Sequence, residues 1–409
     1  MSSDWREITF GEFVAIQRGH DLPDQERKPG SVPILGSFGI TGYHDTIRAK
    51  APGVTVGRSG ASFGVAAYTD HDYWPLNTAL YVTDFKGNFP KFVFYFMKAF
   101  DFSAFNSGSA QPSLNRNNLY PVSIFVPPPV EQKGIADLLS SLDDCITLLR
   151  ETNVTLEAIA QALFKSWFVN FDPVRAKAEG LEPEGMDATT TALFPDSFEE
   201  SELGLVPRGW MVRSLDSIAN YLNGLALQRF PPTKDGWLPV IKIAQLRKGD
   251  TIGADRAGRN INPEYIIQDG DVLFSWSGSL EVVIWCGGEG ALNQHLFKVT
   301  SNDFPKWFYY LWTRQHLTDF QHTAASKATT MGHIQRKHLT EAKVVVPPAE
   351  VLRNAGVLIE PLLERWLVNA EKARTLTQLR DTLLPRLISG QLRLPEMEAS
   401  VEAMLSEAV

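Results

Sequence analysis

The chain has 409 residues, 44% hydrophobic and 21% charged, with a net charge of −8 and two cysteines, Cys145 and Cys286. That length allows two or three domains with cores of their own, while two distant thiols make neither a disulfide framework nor a zinc ribbon and suit a reducing cytoplasm. The opening MSSDWREITF lacks a basic segment leading into an apolar core, and no stretch reaches the ~20 apolar residues a bilayer requires, so neither a signal peptide nor a membrane span is expected.

Residues 1–129 read as a first globular unit. Short β-like runs, Val54 to Val56 and Ala79 to Thr83, precede an amphipathic aromatic stretch, Phe92 to Phe100, that reads as a helix packed on a sheet. A hydrophobic strand, Val122 to Val126, closes the unit where Pro127-Pro128 can no longer donate to a ladder. Residues 130–170 then carry apolar residues at Ile135, Leu138, Leu142, Cys145, Leu149, Leu156, Ile159 and Leu163, the 3-4 alternation of a coiled-coil seam with Thr152 as its polar interruption. Residues 171–209 read as an acidic linker of net charge −6.

Residues 210–349 repeat the first unit. Trp5, Phe10, Phe13, Ile16, Gly19 and Leu22 return 205 residues later as Trp210, Leu215, Ile218, Tyr221, Gly224 and Leu227. Pro33-Ile34 answers to Pro239-Val240, Gly57 to Gly60 to Ser275 to Gly278, and Leu76-Asn77 to Leu292-Asn293. Phe89 to Lys91 answers to Phe304 to Lys306, and Val126 to Pro128 to Val346 to Pro348, at a spacing that has drifted to 220. Preserved order with a drifting offset is what duplication with loop insertions produces. The β-like runs Val272 to Phe274 and Val282 to Trp285, the aromatic stretch Trp307 to Leu317 and the strand Lys343 to Val346 complete the copy. Residues 350–390 form a second long helix, with Leu358, Leu362, Trp366, Ala370, Ala373, Leu376, Leu379 and Leu383 on its seam and Ser389-Gly390 as its stop. Residues 391–409 read as a mobile tail.

The expected fold is therefore α+β: two similar α/β domains separated by two long antiparallel coiled-coil helices, a pseudo-two-fold internal repeat. The plainer alternative makes each helix the core of its own domain. Two units related by an approximate two-fold suit two half-sites of duplex DNA, which has two-fold axes of its own. Net acidity does not oppose this, because residues 1–129 are neutral and 210–349 carry +3, and local charge governs DNA affinity.

Local wording carries a resemblance. Phe164-Lys165-Ser166-Trp167-Phe168-Val169-Asn170-Phe171-Asp172-Pro173-Val174 resembles the junction after the first long helix in type I restriction–modification specificity subunits. So do Val126-Pro127-Pro128 before Glu131-Gln132, Pro207-Arg208-Gly209-Trp210, and Leu384-Pro385-Arg386-Leu387-Ile388-Ser389-Gly390. The resemblance implies that each globular unit is a target recognition domain reading one half of a bipartite site in double-stranded DNA. It implies that the helices space the domains and dock two methyltransferase subunits, with restriction motor–nuclease subunits completing the complex. It also implies a chain without catalysis of its own, S-adenosylmethionine, ATP and magnesium being used by the partner subunits.

Motifs that would make the chain an enzyme are incomplete. Asn262-Pro263-Glu264-Tyr265 is similar to the Asn-Pro-Pro-Tyr of adenine methyltransferases, but Glu264 replaces the second proline and no glycine-rich loop lies upstream, so a turn at a strand boundary is expected. No phosphate-cradling loop and no His-Glu-x-x-His are found. DNA readers place amides, hydroxyls and guanidiniums at base edges and phosphates. Such groups are densest just before each closing strand, as Ser107, Ser109, Gln111, Asn115, Arg116 and Asn117 in the first unit. The second unit offers Lys327, Thr329, Thr330, His333, Gln335, Arg336 and Lys337. Arg58, Ser59 and Asn77, with Trp276, Ser277 and Asn293 to His295, form a second set. Trp167, Phe168, Phe171 and Trp366 are expected to contact partners, since aromatics anchor interfaces. The competing function is a coiled-coil protein-binding adaptor with degenerate, non-DNA-binding domains.

Overall fold

The computed structural model describes residues 4–108, 112–234, 236–326 and 332–394. The chain divides into two compact units, Met1–Thr147 with Thr375–Val409, and Leu148–Arg374. Each contains one mixed α/β domain and a segment of both long helices, which run Pro129–Phe164 and Ala349–Ile388.

The two domains share one frame and differ in a second sheet, which has three strands in the first domain and four in the second. In the first unit a four-stranded antiparallel sheet takes the order Ala15–Arg18, Ala79–Asp84, Gly53–Gly57, Ala66–Thr69. In the second the order is Asn220–Asn223, Leu296–Thr300, Val272–Ser275, Val282–Ile284. Each domain is closed by its own ends. Arg6 pairs with Val126, and Met211, 205 residues on, pairs with Val346, 220 residues on. Closure of this kind leaves the chain leaving each domain beside the point where it entered, directly in front of the prolines that end the strand and admit the helix.

Aromatic helices cover one face of these sheets. On Pro90–Ala99, Phe92, Val93, Tyr95, Phe96 and Met97 are buried. On Lys306–Gln315 every residue from Trp307 to Thr313 is buried, more than one helical face can hide against a sheet. The extra cover comes from the end of the first long helix, which widens into a π-helical turn at Lys165–Val169. That turn brings Phe168 onto Trp307 and Phe308, while Phe164 lies edge-on to Trp312. Trp167, Phe168 and Phe171 are thus core residues, 0 to 7% exposed. The expectation that they face partners is overturned, because folding itself consumes their apolar area. Trp366 remains half-exposed.

Two further expectations are corrected. The acidic stretch 171–209 is folded: short helices Asp172–Ala178 and Ala188–Ala192 and the hairpin Phe198–Ser201/Gly204–Pro207 dock Phe171, Val174, Phe194 and Val206 into the core of the second unit. Within the expected tail, Leu392 and Leu394 pack on the first unit's core, and Arg393 stacks over Trp5 at 4.7 Å. Residues 395–409 lie outside the described residues.

The helical seam is rotated from the expected register. Ile135 and Leu142 are buried as foreseen, but Cys145 and Ile159 are exposed and Leu138 is only partly covered. Gln132, Leu139, Ile146, Asn153 and Ala160, spaced by seven, form the buried row instead. On the second helix Leu358 is exposed and Ile359 is buried. In the first unit the two helix segments run antiparallel, Glu131 meeting Arg393 and Asp143 meeting Arg380. In the second, the Asn153 amide donates to the Trp366 carbonyl at 2.8 Å. Each domain is also tied to the first helix by a tyrosine of its aromatic helix. Tyr95 donates to Asp143 at 2.8 Å, and Tyr310 to Glu157 at 2.9 Å.

Candidate nucleic-acid interface

Both sets of predicted reading residues converge in each unit. In the first, the strand Gly53–Gly57 ends at Arg58, whose amide donates to Thr78 and whose carbonyl accepts from Leu114 at 2.8 Å; Ser59 bridges to Ser113. In the second, Trp276 receives the amide of Ile334 at 2.9 Å and donates its own to His295, while Ser277 bridges to His333. Gly60 donates to Pro112 and Gly278 to Gly332. Arg58 and Trp276 therefore stand at the same backbone node, held by the same bonds. The segments before the closing strands, far away in sequence, fold back onto it.

The side chains at the node differ. Around Arg58 lies a polar cavity of about 500 Å³ lined by Gln17, Arg18, His20, Ser107, Asn115 and Arg116 among others. Arg18 pairs with Asp21 at 3.2 Å, and Asp21 also accepts from Asn77. His20 contacts the Tyr81 hydroxyl at 3.2 Å. Burial, and then the Arg48 guanidinium, hold its imidazole below the usual histidine range. Around Trp276 the indole donates to Asn223 at 2.9 Å and lies against His295, Phe297 and His333. Ser277 is buried, its hydroxyl 3.0 Å from His295, so it presents no free edge to a ligand, contrary to expectation.

Of the first set, Ser107, Asn115, Arg116 and Asn117 are exposed, as are His333, Gln335, Arg336 and Lys337. Arg116 and Arg336 share a structural task. The first donates to the carbonyl of Ile16 at 3.3 Å and the second to that of Tyr221 at 2.9 Å, equivalent positions on equivalent strands. Asn115 caps the short helix that follows by accepting from the Asn117 amide. Ser109, Gln111, Lys327, Thr329 and Thr330 lie outside the described residues.

Asn293 does not belong to the surface. It is 2% exposed, and the backbone shows why it was matched wrongly. His20 bridges to Leu76 and Leu225 to Asn293, so Asn293 is the counterpart of Leu76, and Gln294 that of Asn77. Gln294 and His295 were within the reading of local composition, whereas Gln17, Arg18 and His20, with Asn223, are site residues that it passed over. Their signal was adjacency to Gly19 and Gly224, the invariable-spacing pair of the repeat. Among the described residues no group of His, Cys, Asp or Glu is placed to hold a metal ion, and no helix is long and apolar enough to cross a membrane.

A doubled frame with interchangeable side chains at its node agrees with what a comparison of families finds. The model of the type I restriction modification DNA specificity domain matches twice, at residues 2–158 and 207–381. The chain belongs to the type I restriction–modification specificity family. It is 26% identical over 320 residues to the specificity subunit of the type I restriction enzyme MjaIX of Methanocaldococcus jannaschii, covering 75% of this chain and 70% of that one. It is also 26% identical over 377 residues to the HindI specificity subunit of Haemophilus influenzae, covering 79% and 82%. The crystal structure of a type I restriction–modification S subunit from M. genitalium shares the fold, with a TM-score of 0.61 at 17% identity over 94% of this chain and 96% of that one. Family membership accounts for the helices as well as the domains, since the matched segments run into both of them.

Proposed function

We propose that the chain reads a bipartite site in double-stranded DNA, one half with each domain, and positions two methyltransferase subunits and the restriction motor–nuclease subunits over it. The observation that carries this reading is the node. One backbone frame is built twice, yet it presents Arg58 in one copy and Trp276 in the other, as needed for reading two different short sequences. S-adenosylmethionine, ATP and magnesium are assigned to the partners, and this chain contributes recognition alone. The partner-facing surface is assigned to exposed apolar residues of the long helices, Val154 at 71% exposure and Val357 at 70%, with Leu358 and Ile159 also exposed. Asn262-Pro263-Glu264-Tyr265 plays no part: Asn262 caps a 3₁₀ turn leading into the strand Ile266–Ile267, its side-chain Oδ1 accepting from the Glu264 amide.

Selection from random duplexes by the full chain together with its methyltransferase subunit tests the recognition step. The expected product is one motif of two short blocks around an unspecified spacer, bound less tightly as salt rises because phosphate contacts release counterions. Recovery of unselected sequence, or binding indifferent to salt, returns the chain to the adaptor class.

A further inference from the structure

Four basic side chains line the cavity of the first domain, and three are already committed. Arg18 is paired with Asp21, Arg116 with the Ile16 carbonyl and His20 with the Tyr81 hydroxyl. Arg58 is different. Its backbone is fixed on both sides, by Thr78 and by Leu114, yet among the described residues its guanidinium has no hydrogen-bond or ion-pair partner. A planar five-donor group on an anchored backbone, half-exposed at a polar cavity, is arranged for a ligand outside the chain. The carboxylate that reaches a cavity arginine, Asp21, is taken by Arg18 and Asn77.

We infer that Arg58 is the specificity-determining residue of the first domain and reads a guanine, donating to its O6 and N7 in the major groove. A guanine presents two acceptors side by side, the pattern that matches a guanidinium edge; adenine, cytosine and thymine each lack it. The equivalent node of the second domain cannot make that contact. Trp276 has one donor, and Asn223 has taken it, so its block of the site is read there by contact with the indole face and edge, without a hydrogen bond from this residue. This inference rests on the proposed function and deepens it.

The test uses the full chain co-expressed with its methyltransferase subunit in cells devoid of other adenine methylation, read by single-molecule sequencing of the genomic DNA. The wild type is expected to show a guanine in the block assigned to the first domain. Arg58→Ala is expected to relax that one position, lowering discrimination about tenfold or more, with every other position unchanged. Arg58→Lys keeps the charge but loses the two-pronged geometry, and relaxes the same position. Trp276→Ala alters the opposite block and so assigns the halves. A wild-type block without guanine, or Arg58→Ala leaving the motif intact, overturns the inference. So does a uniform fall in methylation with an intact motif, which makes Arg58 a phosphate contact. Failure of the wild type to methylate any split motif brings down the proposed function itself, and is told apart by needing no variant. Circular dichroism melting of the variants keeps misfolding from passing as lost recognition, and the unpartnered guanidinium predicts melting curves that match the wild type.

Discussion

Gly19 and Gly224 sit where a strand passes beneath a connecting segment, and the approach is closer than any side chain allows. A Cβ built on Gly19 would stand 2.2 Å from the Leu76 carbonyl oxygen, and one on Gly224 2.2 Å from that of Asn293. The glycines donate in turn to Ala79 and Leu296, both at 3.0 Å. With alanine at either position the glycine's backbone stays bonded while the neighbouring backbone has to move, a cost of about 1–3 kcal/mol. Gly19→Ala is expected to lower hydrogen-exchange protection across the sheet of the first domain alone, and Gly224→Ala across that of the second alone. Unchanged protection in either case would refute the close approach. These two residues were legible in the sequence because nothing intervenes between them and the start of each copy. The match failed by one residue farther along, at Asn293, because insertions shift the offset from 205 to 217 and Leu292-Asn293 offers the same dipeptide as Leu76-Asn77 one residue early. The reading cavity was missed for a different reason. Gln17, Arg18 and His20 come together with Asn115 only when the chain has folded, and adjacency to Gly19 is the one local mark they carry.

At the scale of elements, the long helices were evident from their heptads, but their orientation was not. Apolar residues stand at both candidate rows: Leu138 beside Leu139, Cys145 beside Ile146, Ile159 beside Ala160. A pattern with apolar residues at both i+3 and i+4 does not fix which row faces the core, and packing against Tyr95 and Tyr310 of the aromatic helices decides it. The row that wins includes Asn153, and Asn369 is likewise buried on the second helix, polar seam positions of the type that fix register at some cost in stability. The rotation turns other apolar residues outward, and these carry the partner surface proposed above. Val154→Asp with Val357→Asp is expected to abolish co-purification of the methyltransferase subunit while changing stability by no more than about 0.5 kcal/mol, as exposed positions allow. Retained co-purification would move the partner surface elsewhere. The stretch 171–209 hid its fold for a related reason. Its anchors Phe171, Val174, Phe194 and Val206 are too widely spaced to show a period, and the carboxylates between them dominate its composition.

For the whole molecule, duplication is the property that organises everything else. Two copies of one frame, each closed by pairing its own first and last strands, free the intervening surface to vary without disturbing closure. The net charge of −8 obscures this, because much of it belongs to the 171–209 segment and the long helices and little to the domains. On the proposed function, this chain alone chooses where its partners act. That choice is tested most directly by mapping adenine methylation in cells expressing the methyltransferase subunit with this chain and in cells lacking only this chain. Methylation is expected at one motif of two short blocks around an unspecified spacer when the chain is present, and none at that motif without it. The same methylation in both cells would contradict the proposed function.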